Sequence, residues 1–203
     1  TTGLVGSEMC IRDRFSIMHP IDLRSDTVTL PTNEMLKAIS KAELGDDVFQ
    51  EDPTVNKLEH LAAKTFNKES AIFMPSGTMA NLVAVLTHCH RGDEVILGDQ
   101  SHTFLYEAGG ISSFGGVHSR QIKNYDDGTM SLEDIKNSIR KKDVHFPPSR
   151  LVCLENTHNR CFGMPLDMNY INKVSEIVKN NSMMLHVDGC LLYTSDAADD
   201  GHS

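Results

Sequence analysis

The sequence predicts an α/β protein with three layers, in which helices cover both faces of a mainly parallel β-sheet. Helical and strand patterns alternate along the chain, and the strands are short, continuous apolar runs. Such runs are typical of parallel sheets that are buried on both faces. With 203 residues, 39% hydrophobic and 23% charged, the chain is long enough for one domain with a substantial core.

Helices are predicted where a capping residue precedes apolar residues at helical spacing. Four such caps are Thr32, Asp52, Ser131 and Asp167, and the largely apolar segment 79–88 predicts a fifth helix. The stripe after Asp52 predicts a helix with one buried face, made of Val55, Leu58, Leu61, Ala62 and Phe66.

Five apolar runs predict the strands, at 71–74, 94–97, 117–122, 151–154 and 183–188. Polar residues lie at or just after the carboxyl ends of three of these runs, namely Gly77-Thr78, 156–158 and Asp188. Ligands of open α/β sheets bind at this edge. We therefore expect the functional site at the carboxyl ends of the strands.

Composition and charge narrow the range of partners. The net charge of −9 and the lack of a basic cluster argue against a nucleic-acid partner. No apolar run approaches the roughly 18–20 residues that a membrane helix needs, so no membrane partner is expected. Cys89, Cys153 and Cys161 form no C-x-x-C pair, which favours a reducing, cytoplasmic compartment over a disulfide framework. His88 and His90 flank Cys89 at the end of a predicted helix, where a histidine interacts favourably with the negative end of the helix dipole. We therefore expect no metal site there.

The two ends of the chain carry a related pattern. Residues 9–14 can be encoded by a DNA segment whose reverse complement, read in another frame, encodes residues 190–194. We therefore interpret 1–14 and 190–203 as non-native, adapter-like tails and exclude them from fold reasoning. The remaining segment, 15–189, is interpreted as a partial domain of a longer protein.

Three positions at the sheet edge each admit a functional and a structural interpretation. Gly77 and Thr78 follow Ser76 at a helix start, where N–H groups and a hydroxyl can bind a phosphate. The alternative is a plain helix cap with a turn glycine. Asp188 can bind a protonated ring nitrogen or cap the next turn. His102 can stack on a ligand ring or simply begin a helix.

Ordered motifs decide between these interpretations, because together they resemble the low-specificity L-threonine aldolases across nearly all of 15–189. The motifs lie at 21–29, 45–48, 51–54, 75–81, 144–146, 154–159 and 186–189. These aldolases are pyridoxal-phosphate (PLP) enzymes of the aspartate-aminotransferase fold. The resemblance implies the large domain of such an enzyme, truncated before its last strands and the small domain.

The resemblance also implies how the cofactor would be held. Gly77 and Thr78 would bind the phosphate of PLP through backbone and hydroxyl. His102 would stack on the pyridine ring, and Asp188 would pair with the ring nitrogen.

For the substrate, the resemblance implies a small β-hydroxy-α-amino acid. Ser25 would help to hold its carboxylate, and His145 would face its β-hydroxyl, so that His102 and His145 are the candidate catalytic residues. The parent protein is expected to cleave L-threonine or L-allo-threonine to glycine and acetaldehyde in amino-acid catabolism. A homo-oligomer, a tetramer in the family, is implied as well.

This sequence departs from the family pattern after Gly189. The family continues with Ala-Arg and later with the Schiff-base lysine, whereas Cys190 and Leu191 stand here and no lysine follows Asp188. We therefore expect the polypeptide as written to be inactive. The resemblance further implies a seven-strand order of 3-2-4-5-6-7-1, so the strand at 71–74 is expected to stand apart from the other four.

Three alternatives remain open from the sequence. The first is another PLP lyase of the same fold, for example one that acts on sulfur amino acids. The second is a truncated, non-catalytic product. The third is a phosphate-binding module without catalysis.

Overall fold

The computed structural model describes residues 26–189, which divide after Phe73 into two compact units. Ser25 and the segments 1–14 and 190–203, which we interpret as adapter-like tails, lie outside the described residues. The first unit contains two helices, α1 (Asn33–Ser40) and α2 (Pro53–Thr65), besides short 3-10 turns at Asp26–Val28 and Asp47–Phe49.

Both helices of the first unit begin at their predicted caps. The Thr32 hydroxyl accepts a hydrogen bond from the Met35 N–H at 3.2 Å, and the Asp52 carboxylate accepts from two backbone N–H groups of α2. The predicted buried face of α2 is wrong, since none of its residues is buried and Leu58 and Leu61 are 48% and 54% exposed. Periodicity predicts which side of a helix is apolar. Burial also needs a covering surface, which the described part of this unit does not supply.

The second unit, described over 74–189, alternates helices and strands as predicted. The helices are α3 (Gly77–His88), α4 (His102–Leu105), α5 (Gly110–Ser113), α6 (Leu132–Ser138) and α7 (Met168–Asn180). The strands are β1 (Glu94–Gly98), β2 (His118–Ile122), β3 (Ser149–Glu155) and β4 (Met184–Asp188). Among residues 26–189, no helix has the length and apolarity needed to cross a membrane.

The four strands form one parallel sheet in the order β2-β1-β3-β4. This confirms the first part of the order that the resemblance implies, in which these strands are 3-2-4-5. The register pairs Gly98 with Ile122 and Glu155 with Asp188, so the last residues of neighbouring strands lie side by side. One edge of the sheet therefore carries all four carboxyl ends.

The predicted strand at 71–74 is wrong. These residues form no strand, and the Ile72 side chain is 72% exposed. An extended segment without a neighbour leaves its backbone N–H and C=O groups outside any hydrogen-bond ladder, so an apolar composition alone does not make a strand.

Two apolar clusters cover opposite faces of the sheet, as the alternation of side chains along a strand requires. Val95 and Leu97 pack with Val85 of α3 in one cluster. Ile96 packs with Ile135 of α6 and with buried residues of α7 in the other. Helices on both faces of a parallel sheet confirm the predicted three-layer α/β class.

Candidate active site

Asp188 ends β4 at the carboxyl edge of the sheet, and it is buried. Its backbone carbonyl accepts a hydrogen bond from the Asn156 N–H at 2.8 Å. Its Oδ2 accepts one from Asn81 Nδ2 at 2.9 Å. These bonds fix the carboxylate between the loop after β3 and helix α3. A buried carboxylate in a fixed orientation can bind a cationic group of a ligand.

Asn81 contacts three polar side chains through its one amide. Its Nδ2 donates to Glu107 Oε1 at 2.8 Å as well as to Asp188, and its Oδ1 lies 2.9 Å from His186 Nε2. This orientation of the amide gives both carboxylates a donor, whereas the flipped one would set an oxygen against each of them. The two carboxylates therefore share one neutral donor.

His102 begins α4, in the connection that follows β1. Its backbone N–H donates to Glu155 Oε2 at 2.7 Å, and its ring Nδ1 lies 3.0 Å from Glu107 Oε1. The Glu107 side chain is only 3% exposed, whereas that of His102 is 38% exposed. Glu107 thus holds one edge of the ring while part of the ring stays open to solvent. One ligand atom each from His102, Glu107 and Asp188 lies within 4.8 Å of the other two, so His102 and Asp188 share one cluster.

Gly77 and Thr78 form the first turn of α3 and are exposed. Ser76 caps the helix, and its side chain accepts from the Met79 N–H at 3.1 Å. The first N–H groups of a helix lack partners within the helix, so this turn offers free donors to a ligand. Asn81 follows Gly77 by four residues and therefore lies on the same face of α3. Helix α3 thus carries both the exposed turn and the residue that binds Asp188.

His186 lies two residues before Asp188 on β4, where side chains alternate between the faces of the sheet. Burial lowers the pKa of His186 below its usual 6.5, and the charge of Asp188 opposes this only in part. The neutral ring donates through Nε2 to Asn81 Oδ1, because an amide oxygen can only accept.

His145 and Ser25 are not brought into this cluster by the described residues. His145 lies between α6 and β3 with its side chain 82% exposed, and its Nδ1 lies 2.8 Å from Asp143 Oδ1. Its backbone N–H and ring lower the pKa of the Asp143 carboxyl. Ser25 lies outside the described residues. The substrate roles of both residues stay predictions.

The sequence reasoning gave no role to four residues that build the cluster. They are Asn81, Glu107, Glu155 and His186. Glu155 ends a buried strand as Asp188 does, and that position is a signal which could have identified it. Glu107 follows a short helix and carries no such signal, since its contacts depend on how the chain turns after His102.

The three side chains of His102, Glu107 and Asp188 also form a possible set of metal ligands. Both carboxylates already accept hydrogen bonds from the same Asn81 amide. The amide supplies the positive partial charge that a cation would otherwise provide between two like charges. This favours a hydrogen-bonded arrangement of the cluster over a metal-bound one.

A polar cavity of about 270 Å³ opens at the same edge of the sheet. Its walls come from the loops that follow β1, β2 and β3, including Gln100, Lys123 and Arg160. Arg160 donates to Gln100 Oε1 at 2.8 Å and to the Tyr106 hydroxyl at 2.7 Å. The Tyr106 ring in turn lies 5.5 Å from that of His102 between centroids, so the cavity adjoins the His102 segment.

Comparison with known families places this arrangement in context. The family model described as beta-eliminating lyase matches residues 22–198. Low-specificity L-threonine aldolase 1 of Arabidopsis thaliana is 50% identical over 185 residues, which cover 90% of this chain and 52% of that protein. The low specificity L-threonine aldolase of Escherichia coli K12 is 45% identical over 175 residues, covering 86% and 52% respectively. The chain thus spans about half the length of the curated relatives that it matches.

Solved structures show the same fold. A threonine aldolase of Leishmania major superposes with a TM-score of 0.63 at 20% identity, covering 76% of this chain and 44% of that one. A protein of Listeria monocytogenes assigned as an L-allo-threonine aldolase gives 0.64 at 24% identity, covering 81% and 45%. At 20% and 24% sequence identity, the structural similarity to these two proteins supports the fold class alone.

Proposed function

Because this chain belongs to the beta-eliminating lyase family, we propose that the full-length protein is a PLP-dependent aldehyde lyase. It cleaves L-threonine and L-allo-threonine to glycine and acetaldehyde. The observation that carries this proposal is the cluster of His102, Glu107, Asn81 and Asp188 beside the first turn of α3. The names of the curated relatives supply the substrate class.

The residues of the cluster fit the chemistry of PLP. Asp188 is a buried carboxylate that can bind a protonated pyridine nitrogen. The part-exposed ring of His102 can stack on an aromatic ring. The exposed N–H groups of Gly77 and Thr78, with the Thr78 hydroxyl, can bind a phosphate. PLP, when bound, supplies the electron sink for the carbanion that Cα–Cβ cleavage leaves.

The protein side chains then have distinct tasks. Asp188, fixed by Asn81, keeps the ring nitrogen protonated and so keeps the electron sink effective. His102 orients the ring and is the candidate group to move a proton at the substrate hydroxyl. By resemblance, Ser25 helps to hold the substrate carboxylate and His145 faces the β-hydroxyl.

The assembly and cellular setting are proposed as well. By resemblance, the full-length protein is a homo-oligomer. A cytoplasmic location is supported by three buried free thiols, Cys89, Cys153 and Cys161, which suit a reducing compartment. Burial raises the pKa of Cys89 to about 11, so this thiol stays protonated and unreactive.

The test is an assay of the full-length protein with PLP. Acetaldehyde is measured by coupled reduction, and glycine is measured directly, with L-threonine and L-allo-threonine as substrates. Asp188→Asn should lower kcat about 10²-fold or more, the usual scale for loss of a group that stabilises the transition state. Asp167→Asn, which keeps a good cap at the start of α7, is the matched control and should leave kcat unchanged.

The family description favours one rival, an enzyme that eliminates a β-substituent. Such an enzyme would convert cysteine to pyruvate, ammonia and sulfide, or an O-acylated serine to pyruvate, ammonia and a carboxylate. If pyruvate forms from cysteine or the O-acylated serine and no acetaldehyde forms from either threonine, the rival function replaces the proposed one.

A further inference from the structure

We propose that Glu107 is a positioning residue that fixes the tautomer of His102, so that Nε2 of the imidazole carries the lone pair that accepts a proton from the substrate. This inference deepens the proposed function and rests on it. Its basis is a polar arrangement in which two nitrogen atoms, Asn81 Nδ2 and His102 Nδ1, converge on one carboxylate oxygen.

The first step concerns the protons on Glu107 Oε1. Asn81 Nδ2 donates to this oxygen at 2.8 Å, and His102 Nδ1 lies 3.0 Å from it. An amide nitrogen can only donate, so the oxygen must accept there. For the second contact to be a hydrogen bond as well, His102 Nδ1 must carry a proton. The neutral ring then has its lone pair on Nε2.

The second step concerns how firmly this state is held. Glu107 is 3% exposed, and Asn81 is itself fixed by Asp188 and His186. On the other side, the His102 backbone N–H donates to buried Glu155. The backbone of His102 and the carboxylate that contacts its ring are therefore held by different contacts. A side chain that is fixed in this way can present one defined nitrogen to a substrate.

The third step concerns the chemistry. A carboxylate that binds Nδ1–H of a histidine orients the ring and stabilises the imidazolium that forms when Nε2 takes a proton. Retro-aldol cleavage requires removal of the β-hydroxyl proton. His102 Nε2 takes this proton as the O–H bond breaks, and the electron pair of that bond becomes the second bond of the aldehyde C=O. The Cα–Cβ bond breaks at the same time and leaves its electron pair on Cα, which later takes a proton from solvent to give glycine. Solvent later removes the proton from Nε2.

The test compares forms of the full-length protein. They are the wild type, Glu107→Gln and Glu107→Asp, with Glu133→Gln as control, since Glu133 is an exposed carboxylate that pairs with Asn137 on α6. The tautomer of His102 is read from ¹⁵N chemical shifts of labelled histidine, assigned with His102→Gln. This reading needs no substrate. Steady-state kinetics on L-threonine supplies the second readout.

The wild type should show His102 protonated on Nδ1. In Glu107→Gln the new amide can turn its N–H groups toward His102, which should move the proton to Nε2 and lower kcat about 10²-fold or more, with KM changed by only a few-fold. Glu107→Asp keeps the charge and should retain the Nδ1–H tautomer and recover part of kcat. The control should match the wild type in both readouts.

If the ¹⁵N shifts show that His102 of the wild type carries its proton on Nε2, the inference is wrong, whatever the variants do. A folded Glu107→Gln variant with unchanged tautomer and unchanged kcat also overturns it. If the wild type releases no acetaldehyde from threonine, the proposed function fails instead, and the tautomer measurement still decides how Glu107 acts on His102.

Discussion

Asn81 Nδ2 lies 2.9 Å from Asp188 Oδ2, although 107 positions separate the two residues in the chain. This bond joins the second turn of α3 to the end of β4. The helix that begins at Gly77 is thereby linked directly to the buried carboxylate. The same amide also donates to Glu107, which follows α4. Asn81 therefore connects α3, the segment after α4 and the end of β4.

Replacing Asn81 with Ala should destabilise the full-length protein and weaken PLP binding. Two buried carboxylates would each lose one donor and the His186 ring would lose its acceptor, and loss of a hydrogen-bond partner by a buried polar group costs about 1–3 kcal/mol. The midpoint of urea unfolding should fall accordingly. Asn137→Ala removes an exposed amide–carboxylate contact at 3.2 Å and is the control, expected to change stability by less than about 0.5 kcal/mol. Equal effects of both variants would contradict the prediction.

Much of the second unit could be predicted because local signals and burial agree there. β1 and β3 are apolar runs whose residues alternate between the two clusters, and Asp167 caps α7 as expected. The segment 71–74 has the same apolar composition but pairs with no strand among residues 26–189. Strand formation depends on a pairing partner, which composition does not reveal.

Residues of the candidate site could be predicted only where a polar side chain lies at the end of a strand or at the start of a helix. Asp188 ends a strand and His102 begins a helix, and both lie in the cluster. Asn81 sits one turn inside α3 and Glu107 follows α4. Their importance depends on the packing of α3 against the sheet, which periodicity cannot convey.

His186 should make stability depend on pH. Its folded pKa lies below 6.5, so the unfolded chain binds the proton more readily. The stability that the neutral ring contributes is fully present above about pH 6.5 and is lost as pH falls from there through the folded pKa. Tm measured between about pH 5 and 8 should therefore fall less on acidification in His186→Gln than in the wild type. His60→Gln, at an exposed position of α2, should behave as the wild type does.

Arg140 should matter more for stability than Arg150. Arg140 lies 3.4 Å from Glu94 Oε2, and Glu94 is fully buried, with Ser149 donating to Oε1 at 3.0 Å. Removing the arginine would leave a buried carboxylate short of its positive partner, which costs about 3–5 kcal/mol for a fully buried pair. Since Arg140 is 28% exposed, we expect a loss nearer about 1–3 kcal/mol in Arg140→Met.

Arg150→Met is the matched control for that variant, because Arg150 is 53% exposed and lies 3.6 Å from Asp93. Because the arginine of this pair is mostly in solvent, we expect the pair to contribute about 0–1 kcal/mol. Urea unfolding of the two variants checks the ranking. A larger loss from Arg150→Met would show that exposure of the arginine does not decide the effect, since both carboxylates are buried.

Thr78 should contribute directly to PLP binding if the first turn of α3 holds the phosphate. Thr78→Val keeps the shape of the side chain and removes the hydroxyl, and the loss of one hydrogen bond of about 1 kcal/mol should weaken PLP binding about 5-fold. Thr87→Val makes the same change near the other end of α3, where the hydroxyl donates only to the Val83 carbonyl at 2.8 Å. Affinity is measured by titrating each apo-protein with PLP and following cofactor absorbance. We expect Thr78→Val to bind PLP more weakly than Thr87→Val does. If the two variants bind PLP equally well, the Thr78 hydroxyl does not contact the phosphate. In that case the backbone N–H groups of Gly77 and Thr78 would remain the donors of α3 to be tested.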